Sequence, residues 1–80
     1  MNEQEIKKIV VQLLQNIAPE TDPSRLMPEE NIREALNIDS FDALQFIVAI
    51  SEKLKVDIPE EDYGKTRNLK SLLAYLEKKL

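Results

Sequence analysis

Residues 36–54 read "LNIDSFDALQFIVAISEKL", a strongly apolar segment whose helical part opens on a serine, Ser40, between the acids Asp39 and Asp42. At 100° per residue, Phe41, Leu44, Phe46, Ile47, Val48, Ile50 and Leu54 cover roughly 220° of such a helix, against the ~100° stripe that a surface helix needs. Asp42, Gln45, Ala49, Glu52 and Lys53 fill the narrower arc that remains. A helix of this kind lies between several neighbours or borders a second apolar space beyond the core. The spacing leaves Phe41 open as either a core plug or an exposed aromatic for a partner to grip.

At the helix entrance, either Asp39 or Ser40 can accept hydrogen bonds from free backbone N–H groups and act as the cap. With Asp39 as cap, Asp42 stands three residues on, where a carboxylate reaches back as in a capping box. Both acids then sit at the positive end of the helix dipole. The Ser40 hydroxyl is left free in the first turn, where a phosphate ester is well placed among unpaired N–H groups. An ordinary capping role explains the serine but not the excess of apolar surface behind it.

Working outward, "EQEIKKIVVQLLQNIAPE" places Ile6, Ile9, Val10, Leu13, Leu14 and Ile17 on one helical face, ended by Pro19. Pro19, Pro23 and Pro28 then stand too close together for a regular helix. This predicts a long ordered loop with short turns, pinned by Leu26, Met27, Ile32 and Leu36. Beyond the central helix, taken as about Ser40 to Lys55, Pro59 opens a short helical turn behind Glu60, Glu61 and Asp62. Gly64, the only glycine, is expected to end that turn. The last segment aligns Leu69, Leu72, Leu73, Leu76 and Leu80, with Asn68 as N-cap and Lys78 and Lys79 in the last turn. No run alternates as a strand. The expected fold is all-α: a small bundle of three main helices plus one short helix, with a long loop between the first and second, as a single domain over residues 1–80.

Composition narrows the chemistry. With no His and no Cys, the Ser-His, Cys-His and zinc-hydroxide mechanisms are excluded, as are disulfides and thiolate metal sites. The acids form no evident catalytic constellation, so no catalytic residue and no metal site is expected. No EF-hand spacing is present. The net charge is −4, and residues 39–62 hold seven acids against two lysines, a local balance of −5. An acidic middle repels nucleic acid and favours partners with basic surfaces. No apolar run reaches the ~18 residues that span a bilayer, and "MNEQEIKK" lacks a signal-peptide core. A soluble cytoplasmic protein without membrane insertion is expected.

"LNIDSFDAL", with a leucine and an aspartate before the serine and an apolar residue after it, resembles the phosphopantetheine attachment motif of acyl carrier proteins, commonly Asp-Ser-Leu. The amphipathic first helix, proline-bearing loop, apolar second helix, "VDIPEED" and Leu-rich last helix also follow that family's layout over nearly the whole chain. The resemblance implies a carrier and not an enzyme. Ser40 would receive 4′-phosphopantetheine from coenzyme A, transferred by a separate phosphopantetheinyl transferase, and acyl groups would ride as thioesters on the arm. By the same resemblance, Asp39, Phe41, Asp42 and Glu52 are candidate contacts for basic docking surfaces on that transferase, on an acyl-loading ligase or synthase and on acyltransferases. Leu44, Ile47, Val48 and Leu54 are candidate lining for an acyl chain, although each also suits a core position. Monomeric behaviour is the family's habit.

Three departures qualify the carry-over. Phe41 replaces the usual Leu or Met; Gln45, Ser51 and Lys53 stand where fatty-acid-synthesis carriers tend to be acidic; and Phe46 adds an aromatic. Together they suggest a specialised carrier for a lipid, secondary-metabolite or cell-envelope pathway. Two alternatives are a D-alanyl or other aminoacyl carrier, and an unmodified helical interaction domain in which Ser40 is a plain cap. The Gly-Gly-His/Asp-Ser pattern of peptidyl carriers is absent, with Asn37 and Ile38 in place of the glycines.

Overall fold

A computed structural model describes residues 1–80 and contains no strand, only one isolated bridge. Helix α1 spans Glu3–Ile17, α2 Ile32–Leu36, α3 Ser40–Leu54 and α4 Leu69–Lys79; 3₁₀ turns cover Pro23–Arg25 and Glu60–Thr66. The all-α bundle of three main helices thus stands as expected. The long first connection is more ordered than a loop, because "IREAL" closes into the short helix α2. Asn31 caps it, its side chain accepting from the Glu34 N–H at 3.0 Å. Five residues are too few for a periodic signal, so only the cap residue hinted at it.

The α1 cap forms a complete capping box. Asn2 accepts from the Glu5 N–H at 2.9 Å, and the Glu5 carboxylate accepts from the Asn2 N–H at 3.3 Å. Ile6, Val10 and Leu14 face the core from α1; Phe46, Ile47, Ile50 and Leu54 from α3; Leu69, Leu72, Leu73 and Leu76 from α4. Each such side chain removed from water contributes roughly 1.5–3 kcal/mol before entropy is counted. From the connecting segments, Leu26, Ile32, Leu36, Ile38 and Ile58 plug the gaps between helices. Met27, expected among those pins, is exposed instead: Leu26 turns inward after the 3₁₀ turn, and its neighbour points to solvent.

Two backbone contacts tie the first connection to the entrance of α4. The Ile32 N–H donates to the Arg67 carbonyl at 2.8 Å, and the Lys70 N–H donates to the Pro28 carbonyl at 2.9 Å. Around them Asn31 and Asn68, the caps of α2 and α4, pair as the isolated antiparallel bridge. This joint carries α2 alongside the 3₁₀ segment Glu60–Thr66, which in turn packs on α4.

That 3₁₀ segment is held to α4 by a hydrogen bond from the Tyr75 hydroxyl to Asp62 Oδ2 at 2.6 Å, with Lys65 3.5 Å from the same carboxylate. Lys65 and Lys79 lie 5.8 and 5.3 Å from the Tyr75 ring centre, within cation–π range. The Tyr75 hydrogen bond, with help from Lys65, holds the Asp62 carboxyl below its usual value against a smaller opposing effect of burial. Burial, then Asp62, push the Tyr75 hydroxyl up to about 12.

Gly64 differs from its expected role. It lies inside the 3₁₀ segment, no glycine has positive φ, and nothing lies within 4 Å of where its Cβ would stand. The left-handed positions are Asn37 and Lys55, which end α2 and α3. Gly64→Ala is therefore expected to stabilise the fold by about 0.4–1 kcal/mol, through loss of unfolded-chain freedom, measurable as a higher denaturant midpoint. The Tyr75–Asp62 pair makes a second expectation. Tyr75 titrates higher when folded, so its contribution is complete below about pH 10 and fades between there and its folded value. Asp62 titrates lower when folded, so its contribution is present above the ordinary carboxylate value and is lost as pH falls beneath it. Unfolding midpoints of wild type should fall more steeply than those of Tyr75→Phe at both extremes, with the largest gap between them near neutrality.

Candidate functional site

The turn between α2 and α3 is only three residues long, and each has a defined task. Asn37 adopts the left-handed conformation (φ 53°), and its N–H turns back onto the carbonyls of Arg33 and Glu34. Asparagine tolerates this region better than most residues, so it serves here without a glycine. Ile38 is buried and donates its N–H to the Arg33 carbonyl at 3.0 Å, anchoring the turn. Asp39 then caps α3, its carboxylate accepting from the Asp42 N–H at 2.8 Å.

The alternative open in the sequence is thereby decided: Asp39 is the cap and Ser40 is the first helical residue. The Ser40 hydroxyl is exposed and has no hydrogen-bond partner in the protein. The N–H groups of Ser40 and Phe41 are also without protein partners, as helix geometry requires of a first turn with a single capping side chain. Asp42 does not complete a capping box. Its side chain is one methylene shorter than that of Glu5, which closes the equivalent box on α1.

Behind Ser40, α3 divides into two sides. Phe46, Ile47, Ile50 and Leu54 are buried. Phe41, Leu44 and Val48 are 64%, 45% and 46% exposed and, at spacings of three and four, form one apolar stripe on the surface. Asp39, Asp42 and Glu52 border this side, and none of them is in an ion pair. Gln45 and Lys53 are exposed there as well. Ser51 instead works inward: its hydroxyl donates to the Val56 carbonyl at 2.6 Å and helps to end the helix.

A cleft of about 750 Å³ opens beside Ser40, bounded by α3, by the α2 region and by the 3₁₀ segment Glu60–Thr66. Ala43, Phe46 and Ile47 form its α3 side, Ile32 and Ile38 extend the apolar floor, and Tyr63 and Gly64 form the opposite wall. Of the four residues expected along an acyl space, Ile47 borders this cleft, Leu54 lies in the core, and Leu44 and Val48 face outward on the stripe. The contributions of Arg33, Tyr63, Gly64 and Arg67 carry no local sequence signal, because three separate elements bring them together.

An exposed, unbonded hydroxyl beside unpaired N–H groups and a cleft is a fit for a phosphodiester bearing a flexible arm. The family described as "Phosphopantetheine attachment site" matches residues 4–76. The chain belongs to the acyl carrier protein family. It is 33% identical over 72 residues to the acyl carrier protein of Helicobacter hepaticus, covering 90% of this chain and 88% of that one. With the acyl carrier protein of Thermosynechococcus vestitus it shares 34% over 59 residues, covering 74% of this chain and 73% of the relative. In three dimensions it is similar to the acyl carrier protein of Enterococcus faecalis, with a TM-score of 0.82 over the full length of both chains at 20% identity, a likeness of fold. The carrier role and the covalent 4′-phosphopantetheine cofactor follow from membership, as do dealings with a phosphopantetheinyl transferase and with acyl-handling enzymes in general. No helix of this carrier is long and apolar enough to cross a membrane, and no cluster of acids is grouped to hold a metal ion.

The unequal work of the two adjacent residues is measurable. Asp39→Ala should lower stability by about 1 kcal/mol through loss of the cap. Ser40→Ala, which removes no hydrogen bond, should stay within about 0.5 kcal/mol of wild type in the same denaturant titration.

Proposed function

We propose that Ser40 is the attachment residue, and that the protein carries acyl groups on the arm joined to its hydroxyl and delivers them to partner enzymes of a fatty-acid, lipid or secondary-metabolite pathway in the cytoplasm. The observation that carries this reading is the Ser40 hydroxyl itself, exposed and free of bonds at the start of α3 because Asp39 does the capping. When bound, 4′-phosphopantetheine supplies a terminal thiol that holds an acyl group as a thioester, so the chain needs no cysteine of its own. Asp39 holds the helix entrance in shape by accepting the Asp42 N–H, and the unpaired N–H groups of Ser40 and Phe41 would be available to the phosphodiester of the arm.

The stripe of Phe41, Leu44 and Val48, bordered by Asp39, Asp42 and Glu52, supports a docking face for partners with basic surfaces and an apolar pocket. Phe41 is the natural anchor, because a large exposed aromatic entering a pocket concentrates binding energy at one point. The unpaired acids around it act chiefly on encounter rate. With Gln45 neutral, Lys53 cationic and Ser51 turned inward, this face leans on apolar contact more than a fully acidic helix would. That balance suits a dedicated set of partners and supports a specialised carrier. Ile47 serves the acyl space from the floor of the cleft, with Leu54 supporting it from the core.

Incubation with coenzyme A, magnesium and a promiscuous phosphopantetheinyl transferase should add one phosphopantetheine to the intact mass, and Ser40→Ala should add none. A folded wild-type protein that gains no mass, or a Ser40→Ala variant that does, would remove the assignment. Phe41→Ala should leave the unfolding midpoint nearly unchanged and slow the modification about tenfold or more, as a hot-spot truncation of 1.4 kcal/mol or above would.

A further inference from the structure

The cleft beside Ser40 carries more charge than a shelter for a hydrocarbon chain needs. Arg33 and Arg67, two of the three arginines in the sequence, line it. Neither has a carboxylate within 4.0 Å, since the ion pairs of the structure are Lys65–Asp62 and Lys70–Glu29. They come from elements more than thirty residues apart and are brought to one cleft by the joint described above, in which the Ile32 N–H donates to the carbonyl of Arg67 itself. Glu34 is the only acid of the lining, and it pairs with neither.

In a chain of net charge −4, two exposed arginines without an ion pair thus line the same cleft as Ser40, together with the apolar Ile32, Ile38, Phe46 and Ile47. A guanidinium presents a planar fork of donors that matches the oxygens of a carboxylate or phosphate. A purely aliphatic occupant offers such a fork no acceptor, whereas an anionic group within its reach does. An occupant with both an apolar stem and an anionic group satisfies floor and rim together.

We propose that this cleft is an oxyanion-accepting subsite, in which Arg33 and Arg67 bind an anionic group on the molecule attached at Ser40: the phosphodiester of the arm, or a carboxylate at the far end of the cargo. The proposal rests on Ser40 as attachment residue. It extends that reading from a carrier of acyl groups to one whose cleft sorts them by charge.

The test uses isotopically labelled full-length protein in four forms: unmodified, carrying the arm, and carrying the arm charged with butyryl or succinyl, which share a chain length and differ in a terminal methyl or carboxylate. Intact mass first establishes that modification has occurred. The Nε–H resonances of Arg33 and Arg67 are then followed, together with the thermal midpoint. If the arm's phosphodiester is the anion, both resonances shift when the arm is added and move no further on charging. If the cargo's carboxylate is the anion, succinyl shifts them and raises the midpoint by a few degrees over butyryl, and Arg33→Gln with Arg67→Gln removes that difference. Either result supports the subsite. Resonances that stay in place across all four forms of a modified protein would overturn it while leaving Ser40 intact. A protein that takes up no arm would show in the mass alone, and the proposal would fall with the Ser40 assignment.

Discussion

Helix α3 carries more apolar surface than the core of a small bundle can cover, and much of the structure follows from that constraint. A helix presents its side chains all round, so turning Phe46, Ile47, Ile50 and Leu54 toward α1 and α4 necessarily turns Phe41, Leu44 and Val48 away. No rotation of α3 buries both sets in a molecule with only two other long helices. The side that packs gives the bundle its stability. The side left over is an apolar stripe of Phe41, Leu44 and Val48 on the surface behind Ser40.

The placement of Ser40 depends on who caps the helix. Because the Asp39 carboxylate accepts the Asp42 N–H, the serine hydroxyl has no structural task and stays available. Asn37 and Ile38 make this possible upstream, one by accepting a left-handed backbone and the other by burying its side chain. The acids beside Ser40 are unpaired, so the fold spends no ion pair on them and their charge stays exposed at the helix entrance.

The cleft is a product of joints between elements. The Asn31–Asn68 bridge holds the α2 region against the entrance of α4, while the Tyr75–Asp62 hydrogen bond holds the 3₁₀ segment from the α4 side. Between them the wall opposite α3 is fixed from behind, leaving its inner surface, with Tyr63 and Gly64, facing open space. An opening supported from outside can admit an occupant without the loss of core contacts that would follow from prising α1 and α3 apart.

Much of this was legible in the chain. The three main helices announce themselves through three-and-four spacing, and the resemblance of "LNIDSFDAL" to an attachment motif singled out Ser40. Periodicity works there because long helices sample a face many times. It fails for α2, which has five residues, and misplaces Met27 and Gly64, whose settings depend on how the connections lie over the core. Ser51 likewise looks like a neutral surface position, yet its hydroxyl closes the end of α3. The sequence by itself determined which segments are helical and that α3 has apolar surface to spare, because both are properties of local spacing. Only the tertiary structure decided that Phe41, Leu44 and Val48 are the exposed part of that surface, that Asp39 and not Ser40 does the capping, and that Arg33 and Arg67 share a cleft, because each depends on how helices rotate and where distant segments meet.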